Sequence, residues 1–231
     1  MQKNVTLRGR ANFTNVREPM LKKSIRYLEH RGWGAFLDAV MGGIPKVVLM
    51  GVYRFDPWHI SAYKSRPYAQ AIVQYLNTQP NRGAAIEVGC GLGDILLRIQ
   101  YAKKTGLDSD QKVLNAAALI SKLFNFGGPV QFQKFNFLED SLSGQYDVVL
   151  LVNWVHLIEP KILREKVEHI FSHHLTDTGQ IIIDLLDNKA YQFNHNCDDL
   201  TQNLSKKLTL IGNFELGRSV VAIHKIPAHC K

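Results

Sequence analysis

The chain has 231 residues, 45% hydrophobic and 21% charged, an ordinary globular composition with room for one sizeable α/β domain and a modest accessory segment. Its three cysteines (Cys90, Cys197 and Cys230) are odd in number and share no CxxC spacing, which argues against a disulfide framework or a zinc site and fits a reducing cytosol. The net charge of +8 is localised: residues 1–66 carry 12 Lys/Arg against 4 Asp/Glu, whereas residues 67–231 carry 16 of each.

The basic segment 1–66 reads as a unit apart from residues 67–231. Such a surface attracts phosphates, acidic sugars, nucleic acid or anionic lipid, or is simply a solvated face. Its first residues lack the apolar core of a signal peptide. Within "PMLKKSIRYLEHR", Leu21, Ile25 and Leu28 share one face of an amphipathic helix over 19–31. A second helix is expected over 33–41, broken by Gly42-Gly43-Ile44-Pro45. Residues 46–54 form a short element that is equally helix or strand. Only seven uncharged residues separate Lys46 from Arg54, far short of the roughly 20 that a membrane-spanning helix needs. "FDPWHISAYKSRPY" is expected to be a loop, and Pro67 is placed to open a helix through "YAQAIVQYLN".

From residue 84 the pattern alternates. Strands are expected at 84–89, 105–108, 130–136, 146–152 and 180–185, with helices between them at 93–103, 110–125 and 159–174. Strands spaced by helices of this length imply βαβ units and a parallel sheet. "YDVVLLV" and "QIIIDLL" are apolar throughout, as suits strands covered on both faces. "KLTLIGNFELGRSVVAIHKI" has no room for a crossover helix and reads as an antiparallel hairpin. The expected fold is therefore α/β, Rossmann-like, with a mostly parallel seven-stranded sheet that ends in an antiparallel hairpin.

In such a sheet the ligand lies at the carboxyl ends of the strands, where strand order reverses. In "IEVGCGLGD", Gly89, Gly91 and Gly93 fall where the first strand should turn into a helix, with Cys90 between them. The spacing differs from the dinucleotide fingerprint G-x-G-x-x-G, because the third glycine comes one residue early. Glu87 lies inside the strand end, and Asp94 would put negative charge at a helix N-terminus, where a pyrophosphate would otherwise bind. These features favour a cationic ligand without phosphate. Asp108, 21 residues beyond Glu87, can hold a ribose through its two hydroxyls, or it can serve as a helix cap, a role open equally to Ser109 and Asp110.

"IEVGCGLGD" resembles the glycine-rich motif of class I S-adenosylmethionine-dependent methyltransferases, and the resemblance extends from about residue 66 onward. It implies that Glu87 and the Gly89–Gly93 backbone border the methionine part of S-adenosyl-L-methionine, and that Asp108 holds its ribose. In "KFNFLED", Asn136-Phe137 stands where the family often has an Asp and an apolar residue against the adenine; Asn136 keeps an acceptor but not the charge. In "YDVVLLVNWVHLIEP", Asn153 corresponds to a residue that closes the cofactor pocket near the methyl group. Ahead of the first strand, Tyr63 and Arg66 are candidates for the cofactor carboxylate, and Trp58 and His59 for the acceptor pocket. His59 and His156 are the candidate general bases, each with a packing role as the alternative. No metal is implied.

The acceptor class stays open between two enzymes. The layout more narrowly resembles methyltransferases of bacterial surface-polysaccharide gene clusters. That implies a small-molecule or glycan acceptor, phosphorylated or lipid-linked, methylated on oxygen in the cytoplasm, with peripheral contact at the inner face of the membrane. The alternative is an RNA methyltransferase that uses residues 1–66 as an electrostatic footprint. Against it, "NWVH" stands where base N-methylation would show an Asn/Asp-Pro-Pro-aromatic tetrapeptide. A scaffold that keeps the fold without catalysis is the third reading, and an NAD(P)-dependent oxidoreductase is a rival disfavoured by the glycine spacing.

Overall fold

The computed structural model describes residue 43 and residues 45–124 and 127–226. The helices expected over 19–31 and 33–41 lie outside them, as does most of the basic segment. The element left open at 46–54 is a helix, α1, described at residue 43 and over 45–53, so Gly43 and Pro45, expected to break a helix, are themselves helical. Lys46, Leu49, Met50 and Tyr53 recur at helical spacing on its inward side and pack against the core or are buried. Two short 3-10 turns, Pro57–Ile60 and Tyr63–Ser65, come next, in the expected loop. Phe55 is buried in the main core together with residues of α2 and the central strands, so residues 45–66 and the sheet domain share one core.

Helix α2 (Pro67–Asn77) begins at its proline as expected. The strands are β1 (Ala84–Val88), β2 (Lys103–Asp108), β3 (Gln131–Lys134), β4 (Tyr146–Leu151), β5 (Leu175–Leu186), β6 (Lys206–Phe214) and β7 (Arg218–Lys225). The helices between them are α3 (Gln111–Leu123), α4 (Pro160–His173) and the short α5 (Cys197–Thr201). The sheet order is β3-β2-β1-β4-β5-β7-β6. The first five strands in that order run parallel, and β7 is antiparallel to both β5 and β6.

Alternation along the central strands feeds two cores. Ala85, Val148, Leu150 and Ile182 face the core under α2 and α3. Ile86, Val88, Val149, Leu151, Ile181 and Ile183 face the core under α4. Both faces of the sheet are thus covered, which is why these strands read as unbroken apolar runs. Among the described residues no helix is long and apolar enough to cross a membrane.

The helix expected over 93–103 does not form. After one turn, closed by Leu97 N–H to the Gly93 carbonyl and Ile99 N–H to that of Ile95, its hydrogen bonds are diverted. Gln100 N–H goes to Asn77 Oδ1 (2.8 Å) and Lys103 N–H to the Gly83 carbonyl (2.8 Å). The buried Lys104 ammonium donates to the carbonyls of Leu96 (3.0 Å), Ile99 (3.3 Å) and Gly127 (2.6 Å). A helix would have used those same donors and acceptors, and β2 starts at Lys103 instead.

Candidate functional site

β1 and β4 are neighbours whose outgoing connections leave on opposite faces of the sheet, and a narrow cleft opens at their carboxyl ends. Its wall includes Glu87, Gly89, Gly91, Arg66, His59 and Asn153. The glycine loop needs its glycines: Gly89 has φ +69° and Gly91 φ +54°, a left-handed region costly for other residues. A methyl group on Gly89 would come within 2.4 Å of the Trp154 ring, and one on Gly91 within 2.9 Å of His59 Nδ1. Gly89→Ala is therefore expected to destabilise the chain by about 2 kcal/mol or more, from the left-handed backbone together with the clash. Thermal unfolding checks this, and an unchanged midpoint would show that the loop relaxes freely.

The loop is tied to β2. Cys90 N–H donates to the Leu107 carbonyl (2.9 Å), and Gly91 N–H donates to Asp108 Oδ2 (2.9 Å). Asp108 Oδ1 accepts from Asp110 N–H (3.0 Å), and Asp110 itself caps α3 through Lys112 N–H (2.8 Å). Capping thus falls to Asp110, and each Asp108 oxygen keeps a lone pair for a further donor.

Glu87 is 5% exposed and its Oε2 has no hydrogen-bond partner. Burial pushes its carboxyl up to about 8, against the opposing pull of Arg66 and a backbone hydrogen bond from Leu96; the nearby Asp108 adds to the rise.

Asp94 differs from expectation. No helix begins beside it, and it is not an open negative charge. Lys46 Nζ (2.6 Å), Arg66 and Arg98 (3.5 Å) all converge on its carboxylate. Burial, then the charges of Arg66 and Arg98, press the Lys46 ammonium well below its usual range. The preference for a cationic ligand therefore rests on Glu87 and not on Asp94. Arg66 also donates to the Ser61 carbonyl (3.0 Å), and its Nε is buried without a partner. Tyr63 stands outside the cleft wall with the Arg98 guanidinium 4.1 Å above its ring.

His59 is 7% exposed and stacks on Trp58 with centroids 3.6 Å apart. Burial holds its imidazole below the ordinary range, although Asp108, Asp110 and Asp56 pull it upward. It is the histidine that lines the cleft. His156 does not: it packs edge-on against Tyr191 (4.4 Å), and burial, Arg218 and His195 lower it to about 4.

Asn153 lines the cleft with a left-handed backbone (φ +72°). Its N–H donates to Asp184 Oδ1 (2.6 Å), and its Oδ1 accepts from Arg218 (3.0 Å). Arg218 pairs with the fully buried Asp184 and lies 4.3 Å from the Tyr68 ring. Sequence reasoning missed this cluster; its one signal was a carboxylate inside the apolar run "QIIIDLL". Trp154 reaches back over β1, with Nε1 donating to the Val88 carbonyl (2.6 Å) and its ring edge-on to Phe137 (4.7 Å). Asn136 Oδ1 accepts from Leu138 N–H (3.1 Å) in the turn after β3 and keeps a second lone pair. Neither Asn136 nor Phe137 lines the cleft.

No protein-family model matches the chain, and no curated protein matches it in sequence. Solved structures do match. Magnesium protoporphyrin IX methyltransferase (ChlM) from Synechocystis PCC 6803 with bound SAM aligns over 92% of this chain and 100% of its own, at 14% identity and TM-score 0.58. N-methyltransferase NodS from Bradyrhizobium japonicum WM9, in complex with S-adenosyl-L-homocysteine, aligns over 79% and 98%, at 14% identity and TM-score 0.59. An O-methyltransferase family protein from Burkholderia thailandensis aligns over 69% and 57%, at 14% identity and TM-score 0.53. Sheet order, terminal hairpin and these alignments agree: the chain has the Rossmann-like fold of class I S-adenosylmethionine-dependent methyltransferases.

Proposed function

We propose that this chain is a methyltransferase that binds S-adenosyl-L-methionine in the β1–β4 cleft and methylates a small-molecule or glycan acceptor on oxygen. The observation that carries the reading is Glu87: a buried carboxyl with an unpartnered oxygen, in the cleft wall beside two left-handed glycines. A cationic group that can donate hydrogen bonds is the ligand chemistry that satisfies such an oxygen. When bound, the cofactor supplies an electrophilic methyl group on a sulfonium.

The chain's own residues do the rest. Glu87 would hold the ammonium of the methionine part, Asp108 the ribose hydroxyls, and Arg66, through its unpartnered Nε, the carboxylate. Asn153 would close the pocket near the methyl group. His59, neutral at pH 7, would accept the acceptor hydroxyl proton as the oxygen attacks. Trp58, 57% exposed beside it, would present a flat apolar face to the acceptor. Enclosure orients the two reactants and excludes water, which is most of what an in-line displacement asks of a protein.

Asp108→Ala is expected to weaken cofactor binding at least tenfold while the folded state persists, checked by titration calorimetry and circular dichroism. Unchanged affinity would remove Asp108 from the binding set. The reaction is tested by a methyl-transfer screen, read by mass, over sugar phosphates, sugar nucleotides, lipid-linked glycans and RNA. Transfer to RNA alone would replace the glycan reading.

A further inference from the structure

The close approach that glycines allow at the end of β1 is already used by this chain's own aromatic side chains. The Trp154 ring packs so tightly on Gly89 that even a methyl group there would collide at 2.4 Å. Its Nε1–H occupies the carbonyl of Val88, the last residue of β1. The ring is braced from outside by Phe137 at 4.7 Å. His59 covers Gly91 in the same way. The space left beside them is small, a cavity of about 40 Å³.

The backbone explains why the ring lies there. Asn153 is left-handed, and its N–H is fixed by Asp184, itself paired with Arg218. This turn sends residue 154 back across β4 to β1 and not out to solvent. The ring is partly buried: besides its hydrogen bond to the Val88 carbonyl and its edge-on contact with Phe137, it packs on Gly89 and against the core under α4. None of these is a backbone hydrogen bond of the sheet, so the ring can move without unpairing a strand.

We propose that the Trp154 indole is a built-in stopper of the glycine cradle: it holds the ligand's place against Gly89 and the Val88 carbonyl, and binding requires its displacement. The inference rests on the proposed reading that the cleft takes S-adenosyl-L-methionine. A ligand that must first expel the ring binds with its intrinsic affinity reduced by the fraction of molecules already open. Trp154 thus sets the affinity of the site without being part of the chemistry. The displacing ligand needs a donor to take over the Val88 carbonyl, so an ammonium competes where a purely apolar group does not.

The test is titration of S-adenosyl-L-methionine into the full chain and into Trp154→Ala and Trp154→Phe, monitored by calorimetry and tryptophan fluorescence. Trp154→Phe keeps a ring against Phe137 but lacks the donor, which guards against loss of folding in the alanine variant. The expected result is a change in wild-type tryptophan emission on binding that is larger than in either variant, where Trp58 is the tryptophan left in the cleft. Affinity is expected to rise about tenfold or more in Trp154→Ala and less in Trp154→Phe. Binding by Trp154→Ala alone would also support the stopper, with the wild-type site held shut. Equal affinities with unmoved emission would overturn the stopper and leave the cofactor site standing. Absence of binding in all three folded proteins would overturn the cofactor reading, and the stopper with it.

Discussion

At pH 7, S-adenosyl-L-methionine binding is expected to release close to one proton from wild type and none from Glu87→Gln. Glu87 titrates at about 8 in the ligand-free protein, so it is mostly protonated at pH 7, and a cation placed against it favours the ionised form. Calorimetry in two buffers of different ionisation enthalpy measures the proton count. Affinity should rise with pH up to about 8 and then level.

The same group sets a trend in stability. Its folded value lies above the unfolded 4.5, so the folded state holds a proton that the unfolded state sheds. Glu87's contribution to the stability of the ligand-free chain then falls as pH rises from about 4.5 to about 8, opposite in sign to the buried His156. At about 1.4 kcal/mol for each tenfold difference in proton affinity, the loss is on the order of 4 kcal/mol. Glu87→Gln keeps the shape and removes the titration, so the difference between the two stability profiles isolates Glu87. Profiles that coincide, with no proton released, would mean that this carboxyl is solvated and not the cation site.

The second large effect concerns the pair beneath Asn153. Arg218→Met should cost about 3–5 kcal/mol in urea unfolding, because it leaves the fully buried Asp184 carboxylate without its counter-charge. It also frees Asn153 Oδ1, so the cleft should loosen with the fold. Adding Asp184→Asn to that variant should recover part of the loss, since the amide carbonyl can still accept from Asn153 N–H while the stranded charge is gone. A loss below about 1 kcal/mol for the single variant would mean that water reaches Asp184.

These residues show what can be read along a chain and what cannot. Strand positions and the hairpin come from apolar runs and turn signals that each segment carries locally, as in "YDVVLLV". The glycine loop and Asp108 were legible for the same reason: backbone constraint and chain spacing are written in adjacent residues. The missing helix at 93–103 was not, because Lys104, Asn77 and Gly83 take its donors and acceptors from outside the segment. Asp94 read as an open charge because Lys46, its partner, lies 48 residues away. The bond from Leu138 N–H to Asn136 Oδ1 was likewise not foreseen. For Trp154 the sequence supplied an aromatic residue near the site, while its direction came from Asp184, 31 residues beyond Asn153.

Strand β7 lies inside the sheet, between β5 and β6, although it comes after both in the chain. During synthesis β5 therefore emerges with one edge unpaired, and Asp184 waits on that edge until Arg218 arrives. The cleft is consequently among the last parts of the molecule to be assembled. A nascent chain halted before residue 218 would expose an apolar strand edge and a stranded carboxylate together, a form suited to capture by chaperones and proteases.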